Sequence, residues 1–315
     1  MTDTPLLICG AAFTEDERAR LSTAVSSVSV ESPAALEALA PGLRERLRVV
    51  AYKGQAPFGA REMAALPGLG LIANFGVGYD AIDLAAATAR DIRVTNTPDV
   101  LNDDVADMAV GLILAQARCL LRGDDWVRSG RWGKYGEMPL ARKVSGARAG
   151  IVGLGRIGRE IADRLAAFKM EIHYHSRQQK ETPGWRYHAD PVSLAGAVDF
   201  LVVALVGGEE TRNYVSAEAI AALGPTGVLI NISRGTTVDE GALLAALEQR
   251  RIAGAGLDVY LDEPAIDPRF QGLDNVVLQP HAGSATVETR RAMAELQLAN
   301  IRAFLDGEPL PSPVN

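Results

Sequence analysis

The sequence predicts an α/β protein built from two doubly wound parallel sheets, and three observations carry that expectation. Short apolar runs alternate with helix-patterned stretches from one end of the 315-residue chain to the other. That length exceeds the usual size of one core, so two domains of roughly 100 to 200 residues are expected. One apolar run leads into a glycine-spaced loop and then an amphipathic stretch, a strand–loop–helix unit at home in parallel sheets.

Taken in order, the first third offers strands at Leu6 to Cys9, Val49 to Tyr52, Leu71 to Phe75 and Ile92 to Thr95, with helical stretches such as Arg61 to Leu66 between them. It reads as a small α/β unit of its own. After Asn96-Thr97-Pro98 the pattern becomes one long helix, Val105 to Leu121, so poor in interior charge that most of its surface must be covered. It reads as an interdomain or intersubunit element. Six strands follow at Ala149 to Val152, Glu171 to Tyr174, Phe200 to Ala204, Val228 to Asn231, Ala255 to Val259 and Val276 to Leu278, the count of a Rossmann sheet. Ser216 and Asp239 stand as helix start signals between them. A last helical pattern, Val287 to Leu305, follows the sixth strand and is free to return to the first domain. The fold class is therefore two Rossmann-like or flavodoxin-like domains.

Composition excludes several function classes. With 48% apolar and 23% charged residues the chain is of ordinary globular type. A net charge of −7 and no lysine- or arginine-rich run argue against a nucleic-acid partner. No long uncharged apolar stretch predicts a membrane span, and Met1-Thr2-Asp3-Thr4-Pro5 lacks the features of a secretory signal, so a cytoplasmic location is expected. Cys9 and Cys119 show no metal-ligand spacing; both read as buried small hydrophobes, and no metal is expected.

The most informative segment is Gly153-Leu154-Gly155-Arg156-Ile157-Gly158. The first glycine permits a tight turn, the second lets backbone approach a pyrophosphate, and the third lets helix pack on strand. The helix N-terminus then presents free N–H groups and a positive dipole end to the anion. About 20 residues on, at the end of the next strand, an NAD-binding chain places an acid for the ribose 2′-OH. This chain has Ser176-Arg177 there. A guanidinium makes forked, charge-assisted bonds to a 2′-phosphate that a carboxylate would repel, so the expected cofactor is NADP, with NADPH preferred over NADH.

In open α/β sheets ligands lie beyond the carboxyl ends of the strands. Ile232-Ser233-Arg234-Gly235 follows one strand, Asp258 and Asp262-Glu263-Pro264 another, and Pro280-His281-Ala282-Gly283-Ser284 a third. An arginine, a carboxylate and a histidine at one rim suit hydride reduction of a 2-keto acid. Arg234 can bind carboxylate and polarise the keto oxygen. His281 can give the proton as imidazolium, and Glu263 would favour that charged form. The other histidines, His173, His175 and His188, lack partners of this kind; His175 lies toward the adenosine end and the others read as surface residues. In the first domain, Phe75-Gly76-Val77-Gly78-Tyr79-Asp80 follows a strand and forms either an anion nest for the substrate carboxylate or a glycine turn required by geometry alone.

Together with Asn96-Thr97-Pro98, Ile230-Asn231-Ile232-Ser233-Arg234-Gly235 and Gly256-Leu257-Asp258-Val259, these motifs resemble the D-isomer-specific 2-hydroxyacid dehydrogenases in order over nearly the whole chain. Asn96 to Leu101 with Asp103 to Asp107, and Gly283 to Arg290, are most similar to the NADPH-dependent glyoxylate/hydroxypyruvate reductases and their hydroxyphenylpyruvate-reducing relatives. The resemblance implies a catalytic trio of Arg234, Glu263 and His281. It also implies cofactor contacts from the glycine loop, Ser176, Arg177, Ile232, Ser233, Arg234, Asp258, His281 and Gly283, with Asp258 near the nicotinamide. Substrate contacts are implied at Val77, Gly78, Arg234 and His281, and the chain is implied to act as a homodimer. A substrate-binding domain of residues 1–98 plus 287–315 and an NADP-binding domain of residues 99–286 follow. Two departures stand out: Ala204-Leu205-Val206-Gly207-Gly208 replaces a Cys-Pro-Leu-Thr stretch, and Ser176-Arg177 replaces the acidic ribose ligand. Reduction of glyoxylate or hydroxypyruvate to glycolate or D-glycerate is the expected activity. A hydroxyphenylpyruvate-type reductase, oxidation of formate or phosphite, and a non-catalytic dinucleotide-sensing corepressor are the alternatives. Substrate choice is expected to depend on side chains such as Tyr52, Phe75, Tyr135 and Met138.

Overall fold

The computed structural model describes residues 5–315; Met1–Thr4, on which the reading of the N-terminus largely rests, lie outside the described residues. The strands are β1 (Leu6–Cys9), β2 (Ser27–Val30), β3 (Val49–Tyr52), β4 (Leu71–Asn74), β5 (Arg93–Thr95), β6 (Arg148–Val152), β7 (Glu171–His175), β8 (Arg186–His188), β9 (Phe200–Val203), β10 (Val228–Asn231), β11 (Gly254–Leu257) and β12 (Val276–Leu278). They divide between two compact units, one running to Leu101 and resuming at Thr286–Asn315, the other spanning Asn102–Ala285.

In the first unit the sheet order is β2-β1-β3-β4-β5, with parallel pairing throughout. This is the flavodoxin-like order. Strands β1, β3 and β4 are buried along their whole length, which is why they read as unbroken apolar runs rather than alternating ones. Helix Val287–Asp306 starts where the Thr286 side chain accepts from Thr289 N and stops at left-handed Gly307. It lies on β3 and β4, and its buried Gln297 donates to the Ala73 carbonyl at 2.8 Å. The chain end returns to β5, where Val314 N donates to Val94 O at 2.8 Å and the Asn315 side chain accepts from Val94 N at 2.7 Å.

The second unit holds seven parallel strands in the order β8-β7-β6-β9-β10-β11-β12. This is the Rossmann order with one strand added beyond the sixth, and its direction of winding reverses between β6 and β9. Leu201, Val203, Leu229, Leu247 and Phe270 lie in its core. At roughly 1.5 to 3 kcal/mol for each fully buried large apolar side chain, burial rather than local propensity holds these strand ends in place.

Several expectations need correction. Two strands, β2 and β8, are absent from the sequence reading; both are short edge strands with partly exposed residues, so neither gives a continuous apolar signal. Three strands end one or two residues earlier than their apolar runs, leaving Phe75, Ala204, Asp258 and Val259 in loops, and one, Ile92 to Thr95, begins only at Arg93. The helix expected over Val105 to Leu121 is Asn102–Ala117, followed by a second helix, Leu120–Arg128. Left-handed Cys119 separates the two, and the Ala117 carbonyl is taken by Arg142 N at 2.8 Å instead of by a further helical turn. Cys119 is accordingly half-buried, unlike buried Cys9. His173 is buried rather than superficial, its Nε2 2.9 Å from Glu171 Oε1 and its Nδ1 2.9 Å from His188 Nε2. His175 is buried too, with Nδ1 on the His188 carbonyl and Nε2 on the Tyr214 hydroxyl.

Candidate active site

The glycine loop sits where β6 feeds the helix Arg156–Ala167, at the point of winding reversal. Gly153 has φ 98°, and a Cβ there would lie 2.6 Å from the Ala204 carbonyl oxygen, so only glycine lets the loop pass the end of β9. At Gly158 a Cβ would lie 2.0 Å from Gly153 O, which brings helix onto strand. Gly155 differs from both: a Cβ there meets nothing within 4 Å. Its side-chain direction is open space at a helix N-terminus, the volume that a pyrophosphate needs. The residues present therefore fit a dinucleotide. After β7, Ser176 is buried and its hydroxyl donates to Gln178 O at 2.6 Å, while Arg177 is exposed and pairs with no carboxylate among the described residues.

Arg234 is held through its backbone. Asn231, the last residue of β10, accepts from Ser233 N at 3.0 Å and Ser233 Oγ at 2.8 Å and donates to Arg234 O at 2.9 Å. Thr237 Oγ1 donates to the same carbonyl at 2.7 Å, and the guanidinium donates to Ser233 O at 2.8 Å. Ile232 and Ser233 are buried beneath this turn. A Cβ on Gly235 would lie 1.9 Å from the Tyr260 carbonyl carbon, so the arginine turn packs directly on the chain that leads to Glu263.

Glu263 and His281 form the centre. Glu263 Oε2 lies 2.6 Å from His281 Nδ1, and its Oε1 accepts from Tyr260 N at 2.9 Å. An ionised carboxylate only accepts, so Nδ1 carries the proton of this bond. The glutamate is almost fully covered whereas the imidazole is 38% exposed, a shielded anchor behind an accessible ring. A cavity of about 280 Å³, lined by Tyr260, Glu263, Pro264, Ile266 and the 278–281 turn, borders the pair. The Tyr260 hydroxyl donates to Gln279 O at 2.9 Å, and burial pushes its pKa up to about 12, so it stays protonated as a donor.

Asp258 builds the turn that carries His281. Only 1% exposed, it accepts from Ala282 N at 2.7 Å and Gly283 N at 2.8 Å, while its carbonyl takes His281 N at 2.9 Å. His281 adopts φ 52° within this clasp, and Gly283 lies so close that a Cβ would sit 2.9 Å from Asp258 Oδ2. Burial raises the Asp258 carboxyl above the usual carboxylate range, a shift that the two N–H bonds and the His281 charge oppose and Glu263 reinforces.

In the first unit, the Gly76 to Gly78 turn has all its carbonyls occupied. Asn74 Nδ2 donates to Gly76 O at 3.1 Å and Gly78 O at 2.9 Å, Thr97 N donates to Gly76 O at 2.9 Å, and Asn96 Nδ2 donates to Val77 O at 2.9 Å. The N–H groups of Val77 and Gly78 donate to no described residue. That polarity favours an anion.

Within the second unit the structure brings Arg234, Glu263, His281, Asp258 and Gly283 to one rim and sets the glycine loop at the winding reversal, with Ser176 and Arg177 at the end of the neighbouring strand β7. Asn231, Tyr260, Asn74 and Asn96 are the supporting residues that sequence reasoning missed. An asparagine two residues before a turn amide is a legible Asx-turn signal, whereas the reach of Tyr260 depends on the fold. Among the described residues no cluster of histidine, cysteine or acidic side chains could hold a metal ion, and no helix is long and apolar enough to cross a membrane.

Residues 110–283 match the family model for the D-isomer specific 2-hydroxyacid dehydrogenase NAD binding domain. The chain is 48% identical over 270 residues to a hydroxyphenylpyruvate reductase of Plectranthus scutellarioides, covering 86% of each protein. It is also 48% identical over 271 residues, again 86% of each, to a glyoxylate/hydroxypyruvate reductase of Arabidopsis thaliana. A crystal structure of an NADPH-dependent glyoxylate/hydroxypyruvate reductase from Sinorhizobium meliloti, in complex with NADP and malonate, superposes with a TM-score of 0.94 at 42% identity, over 99% of this chain and 97% of that one. The chain belongs to the D-isomer-specific 2-hydroxyacid dehydrogenase family.

Proposed function

We propose that this enzyme uses NADPH to reduce small 2-keto acids, glyoxylate and hydroxypyruvate first, to glycolate and D-glycerate. The observation that carries the reading is the 2.6 Å pair of Glu263 and His281, set on a turn clasped by Asp258 and backed by the Arg234 loop. When bound, the nicotinamide supplies the hydride. Arg234 holds the substrate carboxylate and polarises the keto oxygen, so negative charge developing on that oxygen meets a guanidinium. His281 Nε2 gives a proton to the same oxygen, and Glu263 stabilises the imidazolium before transfer. The amides of Val77 and Gly78 are assigned to the substrate carboxylate, and Asp258 to the nicotinamide end. Ile232, Ser233 and Gly283 are assigned to the cofactor.

The preference for NADPH rests on exposed, unpaired Arg177 at the end of β7. The named cofactor of the Sinorhizobium meliloti relative supports it. A second reading, reduction of hydroxyphenylpyruvate, is favoured by a relative of that activity at the same 48% identity. We also assign a homodimer, on the exposed apolar side chains Leu120, Leu121, Val127, Trp132 and Tyr135 of one short stretch. The test is product analysis: NADPH with hydroxypyruvate should yield D-glycerate by chiral chromatography. L-Glycerate, or no turnover of any 2-keto acid, would sink the proposal.

A further inference from the structure

The loop after β7 carries a second cation besides Arg177. Tyr174 on β7 is fully buried, and its hydroxyl clamps residue 180 from both sides, donating to Lys180 O at 2.9 Å and accepting from Lys180 N at 2.9 Å. Ser176 closes the other end of the loop by its bond to Gln178 O at 2.6 Å. So fixed, Lys180 reaches across to the glycine loop, where its ammonium donates to Leu154 O at 2.7 Å. An ammonium thus lies against Gly153-Leu154-Gly155 while a guanidinium stands three residues before it on the same short loop. Arg159, on the helix that follows the glycines, reaches the same segment, donating to Glu181 O at 2.9 Å and lying over the Trp185 ring. In a chain of net charge −7, this gathering of cations around one loop calls for a ligand that carries more negative charge than a pyrophosphate alone.

We infer that Lys180 is a specificity-determining residue: its ammonium, held at the glycine loop by Tyr174 and Leu154, joins Arg177 in binding the 2′-phosphate of NADP(H). The inference rests on the NADPH reading above. A neutral carbonyl is a weak partner for an ammonium, so Nζ can add or exchange to a phosphate dianion without breaking an ion pair. Tyr174 keeps the backbone in place while it does so.

The test separates this role from simple capping of the Leu154 carbonyl. Full-length wild type, Lys180→Met and Lys180→Arg are titrated calorimetrically with adenosine 2′,5′-bisphosphate and with 5′-AMP, which differ only in the 2′-phosphate. Lys180→Met should weaken the bisphosphate about tenfold and leave 5′-AMP within about twofold, with Lys180→Arg retaining most of the affinity. The KM for NADPH should rise with kcat preserved. Unchanged bisphosphate affinity overturns the inference alone. Equal loss of both ligands with a lowered Tm also overturns it, since the lysine then only supports the loop. Wild type that binds both ligands equally would refute the NADPH reading itself, and the inference with it.

Discussion

Asp258→Asn separates stability from function. The buried carboxylate accepts from two amides, at 2.7 and 2.8 Å, on the turn that carries His281. An asparagine offers one oxygen, so its NH2 must face Ala282 N or Gly283 N, donor against donor. Leaving one such amide unsatisfied costs about 1–3 kcal/mol. Against that stands the desolvation of a charge that is 1% exposed and has its pKa raised by burial. A raised folded pKa means that the folded state binds its proton more tightly than the unfolded one. Its stabilising contribution is complete below the unfolded value and is lost as pH rises through the folded value. The neutral asparagine has no such loss. The variant should therefore gain on wild type as pH rises from about 4 toward neutrality. Activity should move the other way. A shift of about 1 Å in the His281 turn lowers kcat/KM about 100-fold, which is ~2.7 kcal/mol of transition-state stabilisation. Melting curves across that pH range and steady-state reduction of hydroxypyruvate check both halves. A variant destabilised by the same amount at every pH, or one that keeps full activity, would refute the reasoning.

Three further outcomes follow from the same geometry. Gly155→Ala meets open space and should retain the wild-type Tm while losing about tenfold or more in cofactor affinity, whereas Gly153→Ala, with its Cβ 2.6 Å from Ala204 O, should lose at least 1 kcal/mol of stability as well; fluorescence titration and melting separate the two. His281→Gln should lower kcat by about 10²- to 10⁴-fold with little change in cofactor affinity, and a rate near wild type would remove the proton-donor assignment. Replacing Leu120 and Leu121 with serine should shift the elution volume toward a monomer without loss of helix content, and an unchanged assembly would place the dimer contact elsewhere.

Much of this was legible in the sequence because parallel sheets bury their central strands on both faces. Runs such as Leu6 to Cys9 and Val228 to Asn231 show as uninterrupted apolar segments, and the turn just beyond the second carries Arg234 of the candidate site. The glycine spacing carried the dinucleotide loop for a geometric reason now visible: Gly153 and Gly158 are forced by backbone atoms 2.6 and 2.0 Å from a would-be Cβ. Edge strands β2 and β8 were not legible, since partly exposed residues break the apolar run. The long apolar helix was misread because Leu120 and Leu121 extend its pattern past left-handed Cys119. His173 was misplaced at the surface because its partner His188 lies on β8, a strand the sequence does not announce. The support that Asp258 gives to His281 joins residues 24 and 25 positions apart, which only the folded chain brings together.

The central claim is that Arg234, Glu263 and His281 form a reductase centre for small 2-keto acids fed by NADPH. Its most direct test is kcat/KM for NADPH and NADH against glyoxylate, hydroxypyruvate, pyruvate and hydroxyphenylpyruvate, with His281→Gln run in parallel. NADPH with glyoxylate or hydroxypyruvate should give the highest values, and the variant should lose them. Turnover that is equal with NADH, or that survives in the variant, would contradict it.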